Sequence, residues 1–483
     1  MVDKQILKEV LSVALANGGD FADIFVENKQ VTGIGMEAGR IERVNSGLDV
    51  GAGIRVISGE ATAYAYTNDI SKEGLMEAAK IASHAAKAGQ KDVNIDLTSV
   101  KPLVNFEIKK RPEDVKTEEK VSVVKAAEKA ARAVDSQKIK QVIAGYGDLV
   151  QRVIIANSNG AYVEDERIRT RMVVNAVASD GETIQTGYEA VGSLCGFELF
   201  ERFNPEEVAR QAAGRAVSML TAKPAPAGKM PVVMAGEAGG TMVHEACGHG
   251  LEADLTQREL SVYAGKKGQQ VASELITVVD DATLEDKYGS YRFDDEGVPS
   301  HKVTMIENGV LTDYLYDHLT ATREGRESNG HGRRESYQHK PIPRMGNTMI
   351  APGKMDPEKI IRETKNGLLV KKMGGGQVNT TTGDFVFDVA EGYLIKDGEI
   401  GSMVRGATLT GNGPEVLKIV DMVGSDLGFT IGTCGKDGQG VPVSDAQPTM
   451  HIPEIVVGGT AHGDDHTKIL RRFDEVYGRI KRI

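Results

Sequence analysis

Val243-His244-Glu245-Ala246-Cys247-Gly248-His249-Gly250 places two imidazoles and a carboxylate within six positions, and the rest of the chain is read outward from it. Just upstream, Pro231-Val232-Val233-Met234-Ala235-Gly236 is an apolar run with the character of a buried strand, and Gly236, Gly239 and Gly240 supply a turn. A strand that hands over to a helix carrying His, Glu and His points to a zinc hydrolase. The imidazoles hold the ion and Glu245 takes a proton from its water.

The spacing sets a geometric condition. Histidines at i and i+4 lie about 40° apart around a helix, whereas the i, i+5 pair His244 and His249 lies about 140° apart and cannot face one ion. A π-bulge, with i→i+5 bonding, returns both to one face. The sequence therefore predicts a helix that is irregular at Gly248, where glycine tolerates unusual backbone angles. An HExxxH string also arises by chance, and two ligands do not make a site.

Cys434, in Gly432-Thr433-Cys434-Gly435-Lys436-Asp437-Gly438-Gln439-Gly440, is the preferred third ligand. Its glycines allow close backbone approach, and Lys436 is expected to hold the sulfur as thiolate. The plainer reading of Cys434 is a small buried thiol, which is what most free cysteines are. Cys247, three residues after His244, is a rival ligand, disfavoured because it leaves Cys434 and its glycines without a role. His462 and His466 form a weaker rival pair near the C-terminal end.

Separate blocks in the second half resemble the metal-bearing members of the TldD/PmbA family of metallopeptidases. They include His244 to Glu252, Gly289-Ser290-Tyr291-Arg292-Phe293-Asp294-Asp295-Glu296-Gly297, Arg333-Arg334-Glu335-Ser336-Tyr337, Gly374-Gly375-Gly376-Gln377, Gly411-Asn412-Gly413-Pro414-Glu415 and Gly432 to Lys436. The resemblance implies one zinc per chain on His244, His249 and Cys434, with Glu245 as the catalytic carboxylate. It implies unfolded peptides or small proteins as substrates, admitted in extended form. It also implies a dimer, either with itself or with a related subunit lacking the motif. Members have been described as modulators of DNA gyrase, so the alternative is a non-catalytic interaction protein with a structural metal. Structural zinc usually takes four protein ligands, and three are found here, which favours catalysis.

Length and composition set the frame. At 483 residues, two domains are expected, and 40% hydrophobic with 26% charged residues describes a soluble globular chain. A net charge of −11 argues against a nucleic-acid partner, and three cysteines fit a reducing cytoplasm. No apolar run approaches a membrane span, and Met1 to Ile6 does not open a signal peptide.

The expected fold is α+β. Residues 1–222 form an N-terminal unit of antiparallel sheets and helices, with helices over 4–17, 71–88, 117–134 and 205–221 and short strands between glycines. The order helix, strands, helix appears twice, but no fixed-period identity supports a duplication. Lys223 to Met230 (223–230), rich in Pro, Ala and Lys, is the expected linker. Residues 231–483 form a strand-rich unit that carries the motif helix and ends in an amphipathic helix over 465–480. Asn308-Gly309 marks a hairpin. Leu260 to Gln270 reads as a mobile surface loop, with a lid as the alternative. The tract Arg323 to Tyr337 is expected to line the site. For the anion that develops during peptide hydrolysis, Arg334 or a backbone N–H near Gly375 is the candidate donor.

Overall fold

Ala38 and Gly39 both take positive φ (47° and 77°), the geometry of a two-residue hairpin turn. They join the strands Phe21–Glu37 and Arg40–Ser58, which pair over their whole length. In the computed structural model, residues 2–86 and 95–459 are described. These two strands are far longer than the glycine-bounded fragments expected, because the glycines are not breaks. A Cβ on Gly51 would lie 2.3 Å from the Tyr337 ring, and one on Gly53 2.5 Å from the Tyr337 carbonyl oxygen. These glycines permit close approach of another segment within an unbroken strand.

The first sheet has seven strands. Six of them run in the order Ala61–Thr67, Arg40–Ser58, Phe21–Glu37, Ile139–Asn157, Ala161–Ser179, Ile184–Ser193. The chain order helix–three strands–helix occurs twice, and the copies meet antiparallel at Phe21–Glu37 and Ile139–Asn157. A twofold topology is thus present without a readable sequence repeat, since alternation and helical periodicity preserve a fold while residue identities drift. Helices Lys4–Ala14 and Lys72–Ala86 cover Ile24, Val26, Ile54 and Val56. Helices Thr117–Val134 and Pro205–Leu220 cover Ile34, Met36, Met172 and Val174. The alternate residues of the same strands face the other way, and there Phe25, Val153, Ile155 and Val163 pack on Phe293 and Tyr337 of the second half.

The second half is built on two larger sheets. In one, Gly228–Met234, Met450–Gly458, Thr408–Asn412, Asp384–Lys396 and Asn366–Val378 pair in sequence, and the last also pairs with the first, closing a ring. The other has six strands and ends in the hairpin Gly428–Lys436 with Gln439–Gln447. The segment expected as a linker is itself paired: Lys223–Pro224 lies parallel to Glu399–Arg405, and Gly228–Met234 sits inside the ring. Asn308 and Gly309 form the expected hairpin turn.

Buried charge joins the halves. Arg55, 1% exposed, bonds Asp23 of its own sheet and Glu296 of the second half, the latter at 2.6 Å. Arg167 bonds Asp165 and, at 2.5 Å, Asp295. The motif helix runs through the core of the second half, where Met242, Val243, Ala246, Cys247 and Leu251 share one cluster with Val232, Val370 and Phe387 of the ring and Val441 and Val443 of the hairpin.

Candidate metal centre

After the strand Gly228–Met234 and a short turn at Gly236–Ala238, the chain makes one α-helical turn, Thr241–Val243. It then passes into a π-helical turn, His244–Gly248, where the His249 N–H donates to the His244 carbonyl, and tightens into a 3₁₀ turn over His249–Leu251. This is the irregularity that the i, i+5 spacing requires. The two imidazoles end edge to face, with centroids 4.9 Å apart.

Gly248 serves a different purpose from the one expected. Its φ and ψ are −52° and −60°, ordinary helical values, but a Cβ there would lie 2.2 Å from the Met345 sulfur. Glycine here leaves room for the Met345 side chain, and its backbone angles make no demand for it. The π turn is held from outside as well: the Tyr263 hydroxyl donates to the Ala246 carbonyl at 3.0 Å, and a Cβ on Gly413 would meet that oxygen at 2.3 Å. Tyr263 is 1% exposed, so the start of the segment 260–270 buttresses the motif, while Gly265 and residues 267–270 are exposed as a surface loop.

Cys434 lies in the hairpin opposite Val441. Its Sγ is 3.4 Å from His249 Nε2, and the ligand atoms of His244, His249 and Cys434 all lie within 4.8 Å of one another. A tetrahedral zinc with ordinary Zn–N and Zn–S bonds separates N and S by about 3.5 Å, so these residues fit that ion. Burial raises the Cys434 thiol, yet hydrogen bonds from His244 and His249 more than offset it and bring the group down to about 5. Lys436, expected to do this, instead pairs with Glu252 at 3.1 Å and Asp254 at 2.6 Å. Cys247 donates to the Val243 carbonyl at 3.4 Å inside the apolar core, and burial pushes its thiol up to about 12, so it stands apart from the cluster. His462, His466 and the expected helix over 465–480 lie outside the described residues.

Two carboxylates not singled out by the sequence orient the imidazoles. His244 Nδ1–H donates to Asp445 at 2.8 Å, and His249 Nδ1–H donates to Glu252 at 3.0 Å, which leaves both Nε2 atoms turned toward Cys434. Such outer partners fix ring orientation and raise ligand basicity. Burial opposes the charge on Glu252, but Lys436 and His249 hold its carboxyl down at about 2. Glu252, three residues after His249, had a local signal in that spacing; Asp445, 201 residues from His244, had none.

Glu245 faces a cavity of about 550 Å³ shared with His244, His249, Cys434, Lys372 and Gly375. Burial raises its carboxyl and the imidazoles counter that, and among the described residues it has no hydrogen-bond partner. A carboxylate of raised pKa with free oxygens suits a general base. Gly375 is at the cavity as expected, but Arg334 is not. The Arg334 guanidinium is buried against Asp295 and Tyr64, because the tract 323–337 ties the two halves together instead of lining the metal cavity.

Two imidazoles and a thiol converging beside a free carboxylate, at a cavity between two sheets, make the kind of site found in metal-dependent hydrolases. Comparison with known proteins agrees. Models of the PmbA/TldA metallopeptidase domain 1, central domain and C-terminal domain match residues 22–86, 110–220 and 227–459. A metalloprotease TldD homolog of Haemophilus influenzae is 36% identical, over 94% of this chain and 96% of its own. A metalloprotease of Methanothermobacter thermautotrophicus is 38% identical, over 91% and 96%. The crystal structure of TldE from Thermococcus kodakarensis superposes with a TM-score of 0.74 at 21% identity, covering 94% of this chain and all of that one. A Thermotoga maritima structure, assigned as a candidate modulator of a DNA gyrase, gives 0.77 at 24% identity, covering 94% and 100%. The chain belongs to the PmbA/TldA metallopeptidase family.

Proposed function

We propose that this chain is a zinc-dependent peptidase that cleaves unfolded peptides or small proteins. The reading rests on one observation: three candidate ligand atoms lie within 4.8 Å of one another, and the neighbouring Glu245 faces the same cavity with no hydrogen-bond partner among the described residues. One zinc ion on His244, His249 and Cys434 would supply Lewis-acid activation of water and of the scissile carbonyl. Glu245 takes the proton from water and returns it to the leaving amine. Asp445 and Glu252 keep the imidazoles in the tautomer that offers Nε2. Backbone N–H groups near Gly375 supply the donor for the developing oxyanion, since Arg334 lies elsewhere.

The working unit comprises residues 1–222 and 231–483, joined through 223–230, and acts in the cytoplasm, where three buried free cysteines stay reduced. No helix among the described residues is long and apolar enough to cross a membrane. The likeness to a TldE structure suggests a dimer, with itself or with a metal-free relative. The test compares wild type with Glu245→Ala, each loaded with one zinc and given an unstructured fluorogenic peptide. Cleavage should fall at least about 100-fold with zinc content unchanged. Equal cleavage by both removes Glu245 from the reaction. Absence of cleavage by either, across varied peptides, favours an interaction protein with a structural metal.

A further inference from the structure

The sheet face turned away from the helices carries two adjacent cross-strand rows. Gly33, Gly147, Arg171 and Gly192 form one; Gly35, Gly145, Val173 and Ala190 form the other. Ala190 lines the metal cavity. Its cross-strand partner Val173 lines a second cavity of about 430 Å³, floored by Gly33, Gly145 and Gly147, so the two cavities lie side by side on one sheet face. Bare glycine backbone on the floor leaves room for a chain lying against the sheet.

Basic residues outnumber acidic ones in the lining although the protein is acidic: Lys29, Arg167, Arg169, Arg171, Arg333 and Arg334 against Asp148, Asp294, Asp295 and Glu335. Asp148 is already paired with Lys120, and Glu335 accepts from the Gly440 N–H. Asp165 and Asp295 answer Arg167, and Asp295 also lies against Arg334. Arg169 and Arg333 have no such answer. Each is 4% exposed, and each bonds only carbonyl oxygens, Arg169 those of Tyr288 and Ser290, Arg333 those of Met345 and Pro442. Among the described residues neither forms an ion pair, and the Arg171 side chain has neither an ion pair nor a hydrogen bond. Arg334 Nε is buried with no acceptor. Buried guanidinium without countercharge is strongly unfavourable, and burial together with Arg333 and Arg167 draws Arg169 down to about 9. A planar carboxylate is the group that guanidinium forks match.

We propose that this cavity holds a carboxylate of the peptide being cut, either its free C terminus or an acidic side chain, so that the substrate is gripped at two points. The assignment rests on the peptidase reading. Arg169 is four residues along the strand from Val173 and one strand across from Ala190. That is about 14 Å, or about four extended residues beyond the metal cavity.

The experiment uses one unstructured peptide in three forms: C-terminal acid, C-terminal amide, and amide with a Glu placed about four residues from the scissile bond. Steady-state cleavage by the zinc-loaded chain should show KM lower by about tenfold for the acid or the Glu form than for the plain amide. Whichever form gains identifies the source of the carboxylate. In Arg171→Met and Gly33→Val that ratio should fall toward one; a Cβ on Gly33 meets nothing within 4 Å, so the second variant fills the cavity without disturbing the fold. Calorimetric binding of the same peptides to zinc-loaded Glu245→Ala reads the cavity without cleavage. If no peptide is cut but the acid or Glu form still binds more tightly, and Gly33→Val abolishes the difference, the cavity assignment stands and the peptidase reading falls. Equal binding and cleavage of all three forms, or a preference that survives both variants, overturns the proposal.

Discussion

Asp445 and Glu252 hold the two imidazoles by the same kind of bond, yet their surroundings differ. Asp445 bonds His244, whereas Glu252 bonds His249 and also answers Lys436 at 3.1 Å, with Arg344 3.9 Å away. Asp445→Asn should therefore weaken zinc by about 10- to 100-fold in chelator competition, with an unchanged circular dichroism spectrum and melting temperature. Glu252→Gln should weaken zinc to a similar degree and lower the melting temperature too, because it leaves a buried cation with Asp254 alone. Identical melting for the two variants would mean that Lys436 needs only Asp254. At this scale the sequence was readable where a residue carries chemistry of its own. His244, His249, Cys434 and Glu245 announce themselves by type and setting. Asp445 is an acidic residue like many others until the hairpin Gly428–Gln447 folds it under His244. Arg334 misled for the converse reason: an arginine beside glycines looks functional whether its partner is a substrate or Asp295.

The π turn was legible as an element because the i, i+5 spacing of two candidate ligands admits few other solutions. Its cause was not, since the Met345 sulfur that excludes a side chain at 248 lies nearly a hundred residues away in sequence. Gly248→Ala should displace either Met345 or the turn and reduce zinc affinity. Adding Met345→Ala should restore much of that affinity, as expected of two positions sharing one space. If the double variant binds zinc no better than Gly248→Ala, the backbone and not the thioether demands the glycine. A second element offers a pH test. Asp317 caps the helix His318–Arg323 by accepting from the Thr320 N–H at 2.8 Å. Burial and the nearby Glu296 raise its carboxyl to about 6. The folded chain thus holds this proton more tightly than the unfolded chain, so its ionisation lowers stability between about pH 4 and 6 and the penalty is complete above that. Asp317→Asn keeps the cap acceptor and removes the penalty. In urea unfolding it should gain up to about 3 kcal/mol at pH 7.5 and nothing below about pH 4. A gain of equal size at both pH values would assign the effect to something other than ionisation.

At the scale of the molecule, the metal cavity is bounded by both halves, with Tyr188 and Ala190 of the first sheet facing Glu245 and Cys434 of the second half. Its shape depends on how firmly the halves are joined, and nothing in the sequence pattern revealed the join. Arg55 sits in a strand whose alternation predicts only a sheet, and Glu296 in a run of acidic residues that resembles a solvated loop. Folding buries both, with Asp23, at 3% exposure or less. Among the described residues Arg55 is the one cation that touches Asp23 and Glu296 together, and Arg55→Met leaves buried Glu296 without an ion pair and Asp23 with Arg334 at 3.8 Å. Loss of one partner from such a cluster typically costs about 3–5 kcal/mol. Because the damage falls on the join and not on either core, calorimetry should show two melting transitions where wild type shows one. Zinc affinity should hold, since all three proposed ligands belong to the second half, while peptide cleavage drops. Lowering the pH supplies the control. Burial already holds the Glu296 carboxyl above its ordinary range. Without Arg55 the penalty on its charge is present at neutral pH and recedes as the pH falls toward the ordinary carboxylate range. The two transitions should then draw together. A single transition at every pH, with cleavage intact, would mean that apolar contacts of Phe293 and Tyr337 suffice to hold the halves and that Arg55 merely fills the space between them.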